Sequence, residues 1–383
     1  MKQQLKISYV TPYDASDVHN WSGTGYYIAQ ALIRQQVQLE YVGNLPFEFE
    51  SSFLSRLRRK YYTNYSSKGF MPERESSVAK GYANAILQRV SLDTDVVFSS
   101  GSIPIAFLKT NKKKVFYTDA TFASMVNYYP DFTNLSGHTI RQGNWLEEKA
   151  LKNCDLAIYS SNWAAESAIN DYHIERDKVK VVPFGANLIS SMSLDDIEKL
   201  LESKNRKECR LLFLGVDWER KGGDIALQVA RYLHEHSIPV HLDIIGINHP
   251  LELPVYATNH GFISKSTPEG EQKIKEFLSK AHFLLLPTRE EAFGIVFCEA
   301  SSFGLPSVTT KTGGVTTAVR DNVNGMTFAL QASPEEYAVY IAHLFNDFNA
   351  YKKLAISSFK EYESRLNWDV AGKTIVNHIK ELF

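Results

Sequence analysis

Cysteine is scarce: Cys154, Cys209 and Cys298 are the only three in 383 residues, and no two of them have C-x-x-C spacing. An odd set without that spacing excludes a disulfide framework and a cysteine-based zinc site, and reads as buried structural thiols in a reducing compartment. No apolar run approaches the roughly 18 residues of a membrane span, which excludes an integral membrane helix. Lys6 and Ser8 interrupt the short strand-like run that follows Met1, so no signal peptide is read there and a cytoplasmic location is the expectation. The formal net charge of −1 supplies no global field for nucleic acid, which is not expected as a partner. No G-x-x-x-x-G-K-[ST] occurs, which excludes a P-loop. The 11 histidines show neither H-E-x-x-H nor Cys/His spacing, so neither a metal nor another cofactor is expected. Repeats, low-complexity tracts and heptad seams are absent as well.

What is present is an ordinary globular composition, 44% hydrophobic and 22% charged, in a chain too long for one typical core and suited to two domains. The most informative stretch runs from Phe283 to Gly304, F-L-L-L-P-T-R-E-E-A-F-G-I-V-F-C-E-A-S-S-F-G. Phe283 to Leu286 is a short apolar run stopped by Pro287, as in a buried parallel strand, and Phe293 to Phe303 has the composition of a helix. The turn between them falls at the carboxyl end of the strand, where open α/β sheets bind ligands. Glu291 sits in that turn and Glu299 inside the helix.

The run E-A-F-G-I-V-F-C-E-A resembles the E-x7-E signature of the retaining glycosyltransferases of family 4. The resemblance implies an α/β protein of GT-B fold, two facing Rossmann-like doubly wound domains with a nucleotide-sugar cleft between them. It implies that Glu291 contacts the donor sugar and that Glu299 holds the ribose of the nucleotide. It also implies domains at 1–187 (acceptor), 188–365 (nucleotide-sugar donor) and a helix at 366–383 that returns to the first.

In chain order, Leu5 to Val10 reads as a strand, followed by a loop ending W-S-G-T-G and a helix over Tyr26 to Gln36. Gly23 and Gly25 fall short of a dinucleotide fingerprint because Ile28 takes the third place. They read either as a plain turn or, as the resemblance implies for Gly23, as backbone that approaches the donor diphosphate. Leu39 to Val42 is a second strand. Phe47 to Val90 reads as an insertion, helical in parts, in which Arg56, Arg58, Arg59 and Lys60 lie among aromatic residues. That cluster fits peripheral contact with the anionic inner face of a membrane, or else a solvated face with Tyr packing. Asp95 to Phe98 and Val115 to Tyr117 read as strands. Where many family members carry a His facing the acceptor, this sequence has Thr118 and Asp119. Asp119 is therefore read as an acceptor-side group, with a helix N-cap as the alternative. Arg141 to Leu151 reads as a helix, Leu156 to Tyr159 as a strand, and Ser160 to Asn162 as N-cap positions.

Val179 to Pro183 and F-G-A-N resemble the family's entry to its second domain, with the boundary near Asn187. Leu211 to Leu214 and Asp224 to His236 frame the loop G-V-D-W-E-R-K-G-G-D, whose K-G resembles part of the family's donor site. Arg220 and Lys221 could there converge with helix amides on a diphosphate. His241 to Ile245 is a strand. G-F-I-S-K, which includes Lys265, resembles the segment that lies against the nucleotide base and precedes a helix over Pro268 to Ala281. Ser307 to Thr309 is a strand leading to Gly313 and Gly314, which resemble the family's glycine pair near the donor. Helices are expected at Ser333 to Phe348, Ala350 to Arg365 and Trp368 to Leu382.

The function these readings imply is retaining transfer of a sugar from a nucleotide-diphosphate donor to a carbohydrate or lipid-linked acceptor, in surface glycan synthesis. Arg220, Lys221 and the amides of Ala292, Phe293 and Gly294 would face the departing diphosphate, while Glu291 would hold the sugar by its hydroxyls. A nucleotide-sugar epimerase of the same fold and a silent nucleotide-sugar binding protein are the alternatives.

Overall fold

The computed structural model describes residues 4–47, 53–188, 191–250 and 252–383. Contacts divide the chain into two compact units, Met1–Pro183 with Ala371–Phe383, and Phe184–Val370.

The first unit contains β1 (Lys6–Val10), α1 (Thr24–Arg34), β2 (Gln38–Val42), α2 (Phe53–Tyr65), α3 (Ser76–Arg89), β3 (Val96–Ser99), β4 (Lys113–Thr118), α4 (Phe122–Met125), α5 (Gly137–Asn153), β5 (Leu156–Tyr159), α6 (Asn162–Asn170) and β6 (Val179–Val181). Its six strands form a sheet in the order β2-β1-β3-β4-β5-β6. All pairings are parallel: Ile7 faces Leu39 on one side and Val96 on the other. A parallel sheet must be covered on both faces, which is why β3 and β5 are wholly buried and largely apolar.

The second unit continues with α7 (Leu194–Ser203), β7 (Cys209–Leu214), α8 (Gly223–Glu235), β8 (Val240–Ile245), β9 (Ala257–Asn259), α9 (Pro268–Lys280), β10 (Phe283–Leu286), α10 (Ile295–Ser301), β11 (Ser307–Thr310), α11 (Val315–Ala318), β12 (Gly325–Phe328), α12 (Pro334–Asn346), α13 (Phe348–Ser364) and the start of α14 (Trp368–Lys380). Its parallel sheet has the order β12-β11-β10-β7-β8-β9. The chain winds outward from β7 through β9, then returns to β7's other edge as β10, pairing Leu284 with Leu212. The strand order therefore reverses between β7 and β10, the position at which doubly wound sheets open a ligand crevice.

Several elements depart from the sequence reading. The polar stretch after Asn187 contains α7, held by a Ser193–Asp196 capping box and by Ile197 and Leu201, both buried, four residues apart on one face. The short strands β9 and β12, of 3 and 4 residues, were not anticipated, because such lengths carry no periodicity. The helix expected over Phe293 to Phe303 is only Ile295–Ser301, since Gly294 at its N-cap is left-handed, at φ 87°. Asp119 is not an N-cap: Thr121 takes that role for α4, accepting from the Ser124 amide in a capping box. Cys154, Cys209 and Cys298 are free and buried. No helix among the described residues is long and apolar enough to cross a membrane.

Candidate donor site and acceptor-side loops

The loops after β7 and β10 emerge side by side because their strands are neighbours, and local sterics lock them together. Gly222, at φ 72°, starts α8, and a Cβ there would lie 2.0 Å from the Pro287 carbonyl oxygen. Only glycine allows this approach, which accounts for the K-G pair. Arg289 donates its amide to the Arg220 carbonyl (2.8 Å), and its guanidinium holds Asp224 in a fork of 2.9 and 2.8 Å. The Thr288 hydroxyl also donates to the Arg220 carbonyl, at 3.2 Å.

This lacing brings the two loops' charged side chains together. The Lys221 ammonium forms an ion pair with Glu291 Oε2, both side chains being 12% exposed, and its stem crosses Gly215, where a Cβ would meet Lys221 Cγ at 3.0 Å. Arg220 turns to Asp217 and donates to the Glu290 carbonyl at 3.1 Å. Burial lifts the Glu290 carboxyl above its ordinary range, with the nearby Arg220 charge opposing. The glycine pair lies on the same site: Gly313 is left-handed at φ 48°, and the Gly314 amide donates to the Glu291 carbonyl at 3.0 Å. Behind Glu291, Ala292 and Phe293 are buried, and Phe293 packs edge-on against Phe184 with ring centroids 5.3 Å apart.

Glu299 lies on α10 with its side chain wholly covered, and Lys265 Nζ donates to its two oxygens at 2.6 and 2.5 Å. Glu291, Glu299, Lys221, Arg220, Lys265, Ala292 to Gly294 and the Gly313–Gly314 pair thus all belong to the second unit, around the carboxyl ends of β7 and β10. No group of three or more His, Cys, Asp or Glu among the described residues could hold a metal ion.

Gly23 and Asp119 belong to the first unit. Gly23 caps α1 at φ 85°. Tyr9 donates its hydroxyl to the Gly25 carbonyl (3.1 Å), and the Tyr13 hydroxyl leaves no room for a side chain on Gly25, where a Cβ would come within 2.6 Å. Tyr13 donates to Ser100 Oγ at 3.1 Å, and its hydroxyl is pushed up to about 12, chiefly by burial, with the Asp119 charge adding. Tyr13, Ser100 and Asp119 follow β1, β3 and β4, which are adjacent in the sheet. Sequence reasoning missed Tyr13 and Ser100; their positions within three residues of the ends of predicted strands were the available signal.

With this geometry in place, the two parallel sheets with flanking helices are seen to have the GT-B architecture of solved glycosyltransferase structures. Residues 196–360, a segment that includes both glutamates, match the family model described as glycosyl transferases group 1. Among curated proteins, D-inositol 3-phosphate glycosyltransferase of Xylanimonas cellulosilytica is 25% identical over 246 residues, 60% of this chain and 58% of that one. A 41.2 kDa protein in the cps region of Klebsiella pneumoniae is 24% identical over 226 residues, 58% of this chain and 60% of that one. The chain therefore spans somewhat over half the length of these relatives. Sucrose-phosphate synthase from Thermosynechococcus elongatus superposes with a TM-score of 0.69 at 14% identity, covering 99% of both chains. Anabaena HepE, solved in complex with UDP and glucose, gives 0.63 at 16% identity, covering 99% of this chain and 100% of that one.

Proposed function

We propose that the protein is a retaining glycosyltransferase that moves a sugar from a nucleotide-diphosphate donor to a hydroxyl of a carbohydrate or lipid-linked acceptor. The observation that carries this reading is the meeting of Lys221 with Glu291, and the covered Glu299 nearby, at the β7/β10 reversal within the family-matched segment. The UDP and glucose bound to HepE support a nucleotide sugar as donor. Lys221, with Arg220 beside it, would face the departing diphosphate, Glu291 the sugar hydroxyls and Glu299 the ribose diol. In a front-face substitution the acceptor oxygen bonds to the anomeric carbon as the bond to the phosphate oxygen breaks, and the acceptor proton passes to that phosphate oxygen. Asp119, with Tyr13 and Ser100 beside it, is our acceptor-side assignment. A place in surface glycan synthesis belongs to the same proposal.

The direct test is thermal unfolding with UDP, GDP, ADP and their sugar conjugates. A donor at 100 times its Kd stabilises by about 2.7 kcal/mol. Proton NMR of the transfer product then reads the anomeric configuration, and inversion would refute the retaining assignment.

Peripheral membrane contact through α2 is a further part of this reading. Arg56, Arg59 and Lys60 are exposed there, whereas Arg58 is drawn to Glu75 at 3.2 Å. Neutralising Arg56, Arg59 and Lys60 together should reduce co-sedimentation with phosphatidylserine vesicles, since each cation near such a surface contributes about 1 kcal/mol. Equal sedimentation would mark α2 as a solvated face.

A further inference from the structure

Lys265 pairs with Glu299, whose side chain is wholly covered. The Glu299 side chain has no exposed surface, so neither oxygen is open to a ligand. Both oxygens accept from one ammonium, at 2.6 and 2.5 Å. That ammonium belongs to Lys265, whose side chain is 37% exposed and stands in a turn just before α9. The neighbouring hydroxyls of Ser264 and Ser266, 2.7 Å apart, bond each other rather than Glu299. A ribose diol that reaches Glu299 must therefore take the positions Lys265 holds, and Lys265 is the part of the cover with room to move into solvent.

We infer that Lys265 is a displaceable counter-ion, an intramolecular competitor of the ribose diol that sets how tightly the nucleotide is held. The inference rests on the proposed reading of Glu299 as the ribose contact. Without a ligand, Lys265 neutralises a carboxylate that would otherwise be buried and unpaired, an arrangement that costs stability when one partner is removed. With a ligand, two neutral hydroxyl donors replace the ammonium, and the Lys265–Glu299 pair is given up. Lys265 thus stabilises the unliganded protein at the expense of affinity, and a ligand with no vicinal diol gains nothing by displacing it.

The test is calorimetric titration of UDP, GDP and ADP into the wild-type full chain, Lys265→Met and Lys265→Arg, with unfolding temperatures measured with and without the nucleotide that binds. Lys265→Met should unfold at a lower temperature than wild type when free. It should bind the nucleotide about 3- to 10-fold more tightly, since the pair no longer has to be broken, and show the larger upward shift in unfolding temperature on binding. Lys265→Arg keeps the charge and the fork, and should bind no more tightly than wild type. A Lys265→Met variant that binds more weakly than wild type, while wild type binds normally, overturns the inference and leaves the functional reading standing. Absence of nucleotide binding in all three proteins overturns both.

Discussion

Glu291→Gln is expected to lower kcat by roughly 100-fold, the scale of losing one preorganised electrostatic contact to a reacting centre. Affinity for the nucleoside diphosphate product should stay within about threefold of wild type, because the sugar that Glu291 is proposed to contact is no longer attached. The expectation comes from geometry. Glu291 leaves the β10 turn with its backbone fixed by the Gly314 amide and its carboxylate fixed by Lys221, so the charge is held before a substrate arrives. Glutamine keeps the shape and removes the charge proposed to answer a cation-like sugar. Steady-state kinetics over a range of donor concentrations, with product titrated separately, resolves the two quantities. Unchanged kcat would take Glu291 out of the reacting centre.

Gly222→Ala should have the largest effect on folding. The left-handed backbone at φ 72° costs alanine about 1–2 kcal/mol. Its Cβ would also collide with the Pro287 carbonyl, where overpacking adds roughly 1–3 kcal/mol. The combined loss is about 2–5 kcal/mol, which lowers the unfolding temperature of a unit this size by roughly 4–20 °C. Function should suffer in parallel, because the contact that breaks is the one aligning the Lys221 loop with the Glu291 loop. An unfolding temperature equal to wild type would mean that the two loops are not locked through this glycine.

The parts of this architecture that were legible in the sequence are those where one residue type has few physical alternatives. Four consecutive apolar residues closed by Pro287 suit a buried strand, and β10 is Phe283–Leu286 as read. Pro268 and Ser307 likewise marked the starts of α9 and β11. Ends set by a distant contact were not legible. Phe293 and Gly294 look helical in sequence, yet the left-handed turn at Gly294 delays α10 until Ile295. The same limit applied to the charges. The family resemblance implied Arg220, Lys221 and Lys265 as cations near a ligand, but not that Arg220 turns to Asp217 or that Lys265 covers Glu299. Those pairings join residues 3 and 34 positions apart, and the longer one depends on how the turn before α9 sits against α10. Asp224 with Arg289, 65 positions apart, escaped notice for the same reason.

The central claim is that the β7/β10 crevice of the second unit binds a nucleoside diphosphate with Glu299 on the ribose. Calorimetric titration of UDP, GDP and ADP into wild type and Glu299→Gln tests it most directly. The account predicts that at least one nucleotide binds the wild type. It also predicts that Glu299→Gln binds that nucleotide roughly 10- to 150-fold more weakly, the equivalent of about 1.5–3 kcal/mol for a hydrogen bond to a charged group. Equal affinity in the two proteins, or no binding by the wild type, would contradict it.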